Sequence, residues 1–174
     1  ENVEEVSGIP DDVLQTAKEI AKKDGVSGWK FTLHAPSYQP IMQYADNREL
    51  RRKMYQAYST RASEVGANAE TNSGCKVDWD NTSLIRKILE LRKEEALLLG
   101  FNSYAEVSLA SKMASTPKQV LEFLSDLAVK AKPYAKNDLE ILQCFASGQV
   151  GLEDLEAWDL AYISEKLRVD RYAF

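Results

Sequence analysis

Histidine is nearly missing from this sequence: His34 is the only one in 174 residues. A His-Glu-x-x-His zinc motif needs two imidazoles on one helix face, so the chain cannot contain one. The same scarcity leaves His34 as the sole imidazole base for a nucleophilic triad, and no Ser or Cys stands in a recognisable nucleophile context. Placed between Leu33 and Ala35-Pro36, His34 reads as a structural residue at the end of an extended segment. Cysteine is scarce too. Cys75 and Cys144 are far apart and form no CxxC, which favours reduced thiols in a reducing, cytoplasmic compartment over a disulfide. The eight glycines are scattered as helix stops, without a GxGxxG or a phosphate-binding loop, so nucleotide binding has no support.

An excess of positive charge is also lacking. The formal net charge is -5 and the pI is near 5.1, against the clustered Lys and Arg that nucleic acid requires. No apolar run approaches the roughly 18 to 20 residues of a membrane span. What remains is 44% hydrophobic and 28% charged, the balance of a globular domain with a real core. The chain opens on Glu1 and finishes on the apolar Tyr172, Ala173 and Phe174, which reads as a piece excised from a longer protein.

The pattern along the chain is helical. Residues 10–24 read as a helix, with Pro10, Asp11 and Asp12 at its start, Lys22 and Lys23 at its end, and Gly25 as its stop. Trp29, Phe31 and Leu33 then alternate with Lys30 and Thr32, the period of a half-buried strand. Such a strand needs a partner, either within Asn72 to Asp78 or outside these residues. Pro36 and Pro40 precede a short helix or turn over Ser37 to Ala45. Asp46 and Glu49 read as an acidic capping pair for a helix over Asn47 to Val65, stopped by Gly66, with Leu50, Met54, Ala57 and Tyr58 as its buried face. Arg48, Arg51, Arg52 and Lys53 cluster at its start. They read as a solvated face paired with acidic residues of adjoining helices, in preference to an anion site.

After a polar loop over residues 67–78, the stretch DWDNTSLIRKILELRKEEALLLGFNSYAEVSLASKM, from Asp78 to Met113, predicts two helices about a turn. Gly100 ends the first, and Ser103 with Glu106 can open the second as a capping box. Leu84, Ile85, Ile88, Leu89, Leu91, Leu98 and Leu99 give the first helix an apolar face wide enough for two neighbours. Thr116, Pro117 and Gln119 open a long helix whose seam includes Val120, Leu124, Leu127, Ala131 and Tyr134, with a kink or break expected near Lys132 because of Pro133. Gly148 and Gly151 mark a turn before a last helix over residues 152–170, where Trp158, followed by Asp159 and Tyr162, opens a polar and aromatic cluster whose Trp and Tyr read as core with satisfied polar tips. Asp78, Asp80, Glu94, Glu95, Glu153 and Asp154 read as surface or capping carboxylates. The expected architecture is mainly α: a bundle or layered array of about six helices with one minor β element, and no repeat. The residues themselves supply no catalytic, cofactor-binding or metal-binding candidate.

The run NTSLIRKILELRKEEALLLGFNSYAEVSLASKMA, residues 81–114, resembles the thimet oligopeptidase and oligopeptidase A family of zinc metallopeptidases, in particular its bacterial oligopeptidase A branch. FTLHAPSYQPIMQYADNRELRRKMYQAYSTRASE at 31–64, PKQVLEFLSDLAVKAKPYAKNDLEIL and LEAWDLAYISEKLR follow that family in the same order. The resemblance implies a mostly helical parent that cuts short peptides in a deep channel, with a zinc held by a His-Glu-x-x-His motif that polarises the carbonyl and activates water. It implies no zinc ligand and no catalytic residue among these 174. The chain, as a single segment of residues 1–174, is expected to be scaffold and channel wall, inactive alone, with short peptides and the remaining halves of the parent as partners. No nucleic acid or membrane partner is expected. The other expectation is a noncatalytic helical module that binds peptides or proteins.

Overall fold

A computed structural model describes residues 3–65 and 80–172. Among them are seven α-helices: α1 (Asp11–Lys23), α2 (Ala35–Tyr44), α3 (Arg48–Ser59), α4 (Thr82–Leu98), α5 (Tyr104–Leu109), α6 (Pro117–Phe145) and α7 (Leu160–Tyr172), with a 3-10 turn at Val3–Val6 and a π-helical turn at Ala146–Val150. The fold is mainly α, as the periodicity indicates. The chain divides into two compact units, Glu1–Arg61 with Leu139–Phe174, and Ala62–Asp138.

In the first unit, Val6, Ile9, Ile41 and Ala45 form a buried cluster, joined by Val13 and Leu14 of α1 and Leu50 and Met54 of α3. Ala146, Tyr162 and Ile163 form a second, packed by Leu142, Phe145, Leu152 and Leu155. Helix α2 packs against α1, α3 and α7. Helix α1 stops as its sequence dictates. Gly25 takes φ +72°, its N–H donates to the Lys22 carbonyl at 3.1 Å, and the Val26 N–H reaches Ala21 at 3.0 Å. Those two bonds are a Schellman termination, which satisfies carbonyls the helix cannot.

The expected β element is not a strand: no strand occurs among the described residues, and 29–33 run irregularly. Trp29 and Phe31 still turn inward onto the first cluster, so the alternation was real. Its backbone is satisfied differently, because the Lys30 N–H donates to the Ala17 carbonyl of α1 at 3.0 Å and the Thr32 N–H to Ser37 Oγ at 3.0 Å. An extended segment lying on a helix has the same period as a strand without a ladder. The partner strand expected within Asn72 to Asp78 lies outside the described residues, as do Gly66 and Cys75.

Three helix boundaries also differ. Helix α3 is capped by Asn47, whose side chain accepts from the Leu50 N–H at 3.0 Å, while Glu49 pairs with Arg52 of its own helix. It ends at Ser59 rather than Val65: the Thr60 hydroxyl donates back to the Gln56 carbonyl at 2.7 Å, and Ala62 takes a positive φ of 56°. Tyr58 is exposed, stacking on Tyr38 at 4.4 Å between ring centroids. Helix α6 continues through Pro133 instead of breaking there. The bond lost at proline frees the carbonyl four residues back, at Val129, on a stretch open to water that can hydrate it. Helix α7 begins at Leu160, since residues 152–156 are irregular and 157–159 form a turn.

In the second unit α4 ends at Leu98, with Gly100 at φ +77°. The Gly100 N–H bonds Leu97 at 3.1 Å and the Phe101 N–H bonds Ala96 at 2.9 Å, a second Schellman termination. Ser103 caps α5, accepting from the Glu106 N–H at 3.3 Å, and Thr116 accepts from the Gln119 N–H at 3.1 Å before α6. Both return bonds reach one residue further back than the cap: Glu106 accepts from the Asn102 N–H and Gln119 from the Ser115 N–H. Ser103→Ala should cost about 1 kcal/mol of local helix stability, seen as roughly fivefold faster hydrogen exchange at the Glu106 amide.

Candidate functional site

The densest arrangement of polar side chains is in the first unit, where residues more than a hundred positions apart meet. Arg48 and Arg51 lie one turn apart on α3, and Asp159 immediately precedes α7. Asp159 and Arg51 are fully buried. Arg51 donates from Nη2 to Asp159 Oδ1 at 2.8 Å, and Arg48 donates to Oδ2 from Nη2 at 2.7 Å and from Nε at 3.0 Å. The Glu156 N–H gives Oδ2 a further bond at 3.1 Å. Arg51 Nη1 donates to the Ala45 carbonyl at 2.7 Å, and Arg48 Nη2 to the Asp154 carbonyl at 2.8 Å.

The cluster extends through an aromatic ring. The Arg51 guanidinium sits 4.0 Å from the centroid of Tyr162, whose hydroxyl donates to Asp46 Oδ1 at 2.9 Å. Ser7 donates to Asp46 Oδ2 at 3.0 Å, and Lys166 to Oδ1 at 3.4 Å. Asp46, expected to cap α3, is thereby spent on α7 and the N-terminal turn. Gly8, at φ +83°, fits closely beside it.

Electrostatics hold both carboxylates ionised. Burial is the largest influence on Asp159 and would raise its pKa, but hydrogen bonds from Arg48, Arg51 and the Glu156 N–H, with the Arg48 charge, outweigh it and keep the carboxyl below its usual range. Burial likewise opposes ionisation of Asp46, and the bonds from Tyr162, Ser7 and Lys166 prevail. A carboxylate held this low makes a poor general acid near neutral pH. Arg48 and Arg51 already give donors to Asp159 and to backbone carbonyls, so the basic cluster is not arranged as an anion receptor. Arg48 and Arg51 bind Asp159 ahead of α7, as expected of residues paired across elements, although Arg51 does so inside the core rather than on a solvated face, whereas Arg52 and Lys53 pair with Glu49 of their own helix. Among the described residues two donors, Arg51 Nε and Trp158 Nε1, are buried without a protein partner, so the Trp158 tip departs from expectation.

His34 is exposed at the N-cap position of α2, beside Thr32 and Ser37 in a shallow depression lined also by Asp12 and Thr16. Among the described residues no three His, Cys, Asp or Glu side chains are grouped to hold a metal ion. Among the described residues the donor set does not fit a zinc centre. No described helix is long and apolar enough to cross a membrane. Asp80 accepts from Thr82 at the start of α4, a capping role.

The model of peptidase family M3 matches residues 41–174, most of the chain. The chain belongs to peptidase family M3. Oligopeptidase A of Haemophilus influenzae is 46% identical over 173 residues, which is 99% of this M3 chain and 24% of that protein. Oligopeptidase A of Escherichia coli is 46% identical over 169 residues, covering 97% of the chain and 24% of the relative. The organellar oligopeptidase A of Arabidopsis thaliana is 41% identical over 177 residues, covering 97% and 21%. The M3 chain thus spans about a quarter of the length of these curated relatives.

Reasoning from sequence missed the pairing of Asp159 with Arg48 and Arg51. One signal could have exposed it: two arginines at i and i+3 on a helix start share a face, and a lone Asp between Trp158 and Leu160 needs a cation if buried.

Proposed function

We propose that this chain is a scaffold and channel-wall segment of a zinc-dependent M3 oligopeptidase that hydrolyses short peptides in the cytoplasm, and that it has no catalytic activity alone. The observation that carries this reading is similarity along nearly all of the chain to oligopeptidase A, of which it spans 24%. The match of the M3 family model to residues 41–174 supports the peptidase parent. The polar cluster around Asp159 serves as a clamp between the two sequence-distant parts of the first unit, fixing the surface that α2, α3 and α7 present. Zinc and the water it activates belong to residues outside these 174.

The longer gene product that carries this chain is expected to cleave short unstructured peptides, to lose that activity to a chelator and to regain it with zinc. A longer product without chelator-sensitive peptidase activity would overturn the reading in favour of a noncatalytic binding module.

A further inference from the structure

The second unit leaves its apolar surface bare. Along α4, Leu84, Ile88, Leu91 and Leu98 recur at helical spacing, and they are 59%, 47%, 50% and 87% exposed. Only Ala96 of that helix is buried, near α5, whose Tyr104 ring lies 4.8 Å from the Arg92 guanidinium. Helix α6 is more extreme: every residue from Leu121 to Glu140 is exposed. Phe123, Leu124, Leu127 and Tyr134 fall on one arc of about 100°, under a third of its circumference. Monomeric proteins seldom leave apolar surface on this scale to water.

The polar faces need no partner. Lys87 pairs with Glu90, Lys118 with Glu122 and Lys130 with Asp126, each within its own helix. What lacks a complement is apolar. A lipid surface fits poorly, because basic and acidic side chains alternate on the polar sides of both helices, Glu95 lies within the apolar arc of α4 and Asp138 within that of α6. The length relation points to another occupant, since the relatives extend over about four times the residues present here.

We propose that the apolar faces of α4 and α6 are the docking surface for the region of the M3 peptidase that lies outside these 174 residues, a partner presenting complementary aliphatic and aromatic helix faces. This inference rests on the peptidase reading and deepens it by assigning the contact surface. Both helices then acquire in the assembled enzyme the burial that a stable helix of their composition draws from its neighbours.

Thiol labelling tests it. In a background with Cys75 and Cys144 changed to Ser, Ile88→Cys and Leu124→Cys are compared with the polar-face controls Lys93→Cys and Glu122→Cys, each in the 174-residue chain and in the longer gene product, at micromolar concentration. At Ile88→Cys and Leu124→Cys, reaction with a maleimide should be at least tenfold slower in the longer product, with the controls unchanged. Equal rates in the two proteins overturn the docking surface. Protection of the short chain that grows with its own concentration assigns the faces to a second copy, and protection appearing only with anionic phospholipid vesicles assigns them to a membrane; either result also overturns it. Peptidase activity is read separately, in the same longer variants and in the unsubstituted longer product: reactive thiols in an active, chelator-sensitive enzyme reject the docking surface alone, whereas protected thiols in the variants together with an inactive unsubstituted product reject the functional reading alone.

Discussion

Asp159→Ala is expected to lower the melting temperature of the chain by more than about 10 °C, through a loss of about 3–5 kcal/mol from its first unit. The substitution removes a carboxylate with no exposure to water and leaves the Arg51 guanidinium buried against backbone carbonyls and the Tyr162 ring, without a counter-charge. Truncating one partner of a buried pair is costly because the other charge stays desolvated. It also releases the Glu156 N–H, so the turn before α7 loses its organising acceptor. Arg48→Ala should cost less, since the buried Asp159 carboxylate keeps its bonds from Arg51 and the Glu156 N–H. A double-mutant cycle between Arg51 and Asp159 should give the largest coupling in the cluster, measured by urea denaturation of the four variants.

The same carboxylate gives a pH dependence of definite sign. Asp159 and Asp46 have folded pKa values below their unfolded ones, near 3.9 for Asp. Their contribution is therefore complete above the unfolded value and disappears as pH falls through the folded values. Wild type should lose stability on acidification below about pH 5 more steeply than Asp159→Asn, which has already lost one of these groups.

Gly8→Ala is the second large effect expected, about 2–4 kcal/mol. Gly8 has φ +83°, a conformation costly for an alanine, and an added Cβ would overlap the Tyr44 carbonyl oxygen and lie 2.8 Å from Asp46 Oδ2. Relief requires the N-terminal turn to move away, which withdraws Val6 and Ile9 from the cluster around Ile41 and Ala45. The Asp46 N–H would lose its 2.9 Å bond to the Ser7 carbonyl as well. Limited proteolysis near residue 8 should accelerate together with the fall in thermal stability, while Gly25→Ala, with open space around its Cβ, pays only for backbone strain.

Why some of this was legible in the residues follows from range. Gly25 and Gly100 end helices through bonds made within five residues, and Ser103 and Thr116 cap through side chains acting three residues ahead, so local chemistry was enough. Trp29 and Phe31 announced burial correctly but not its form, because alternation does not distinguish a strand from an extended segment resting on α1. Pro133 misled for a related reason: its cost depends on whether the freed carbonyl can be hydrated, which is a matter of surroundings. Asp46 looked like a cap until Tyr162, 116 residues later, claimed it. The Arg51–Asp159 pair is a tertiary fact at a separation of 108 residues, beyond any local rule. The apolar seams of α4 and α6 were evident from period alone, whereas their exposure was not.

The most direct test of the functional account is peptide hydrolysis by the purified 174-residue chain supplied with zinc. The account predicts no cleavage of unstructured peptides above the buffer blank, with or without chelator. Hydrolysis that a chelator abolishes, persisting through repurification, would contradict it and place a catalytic centre within these residues.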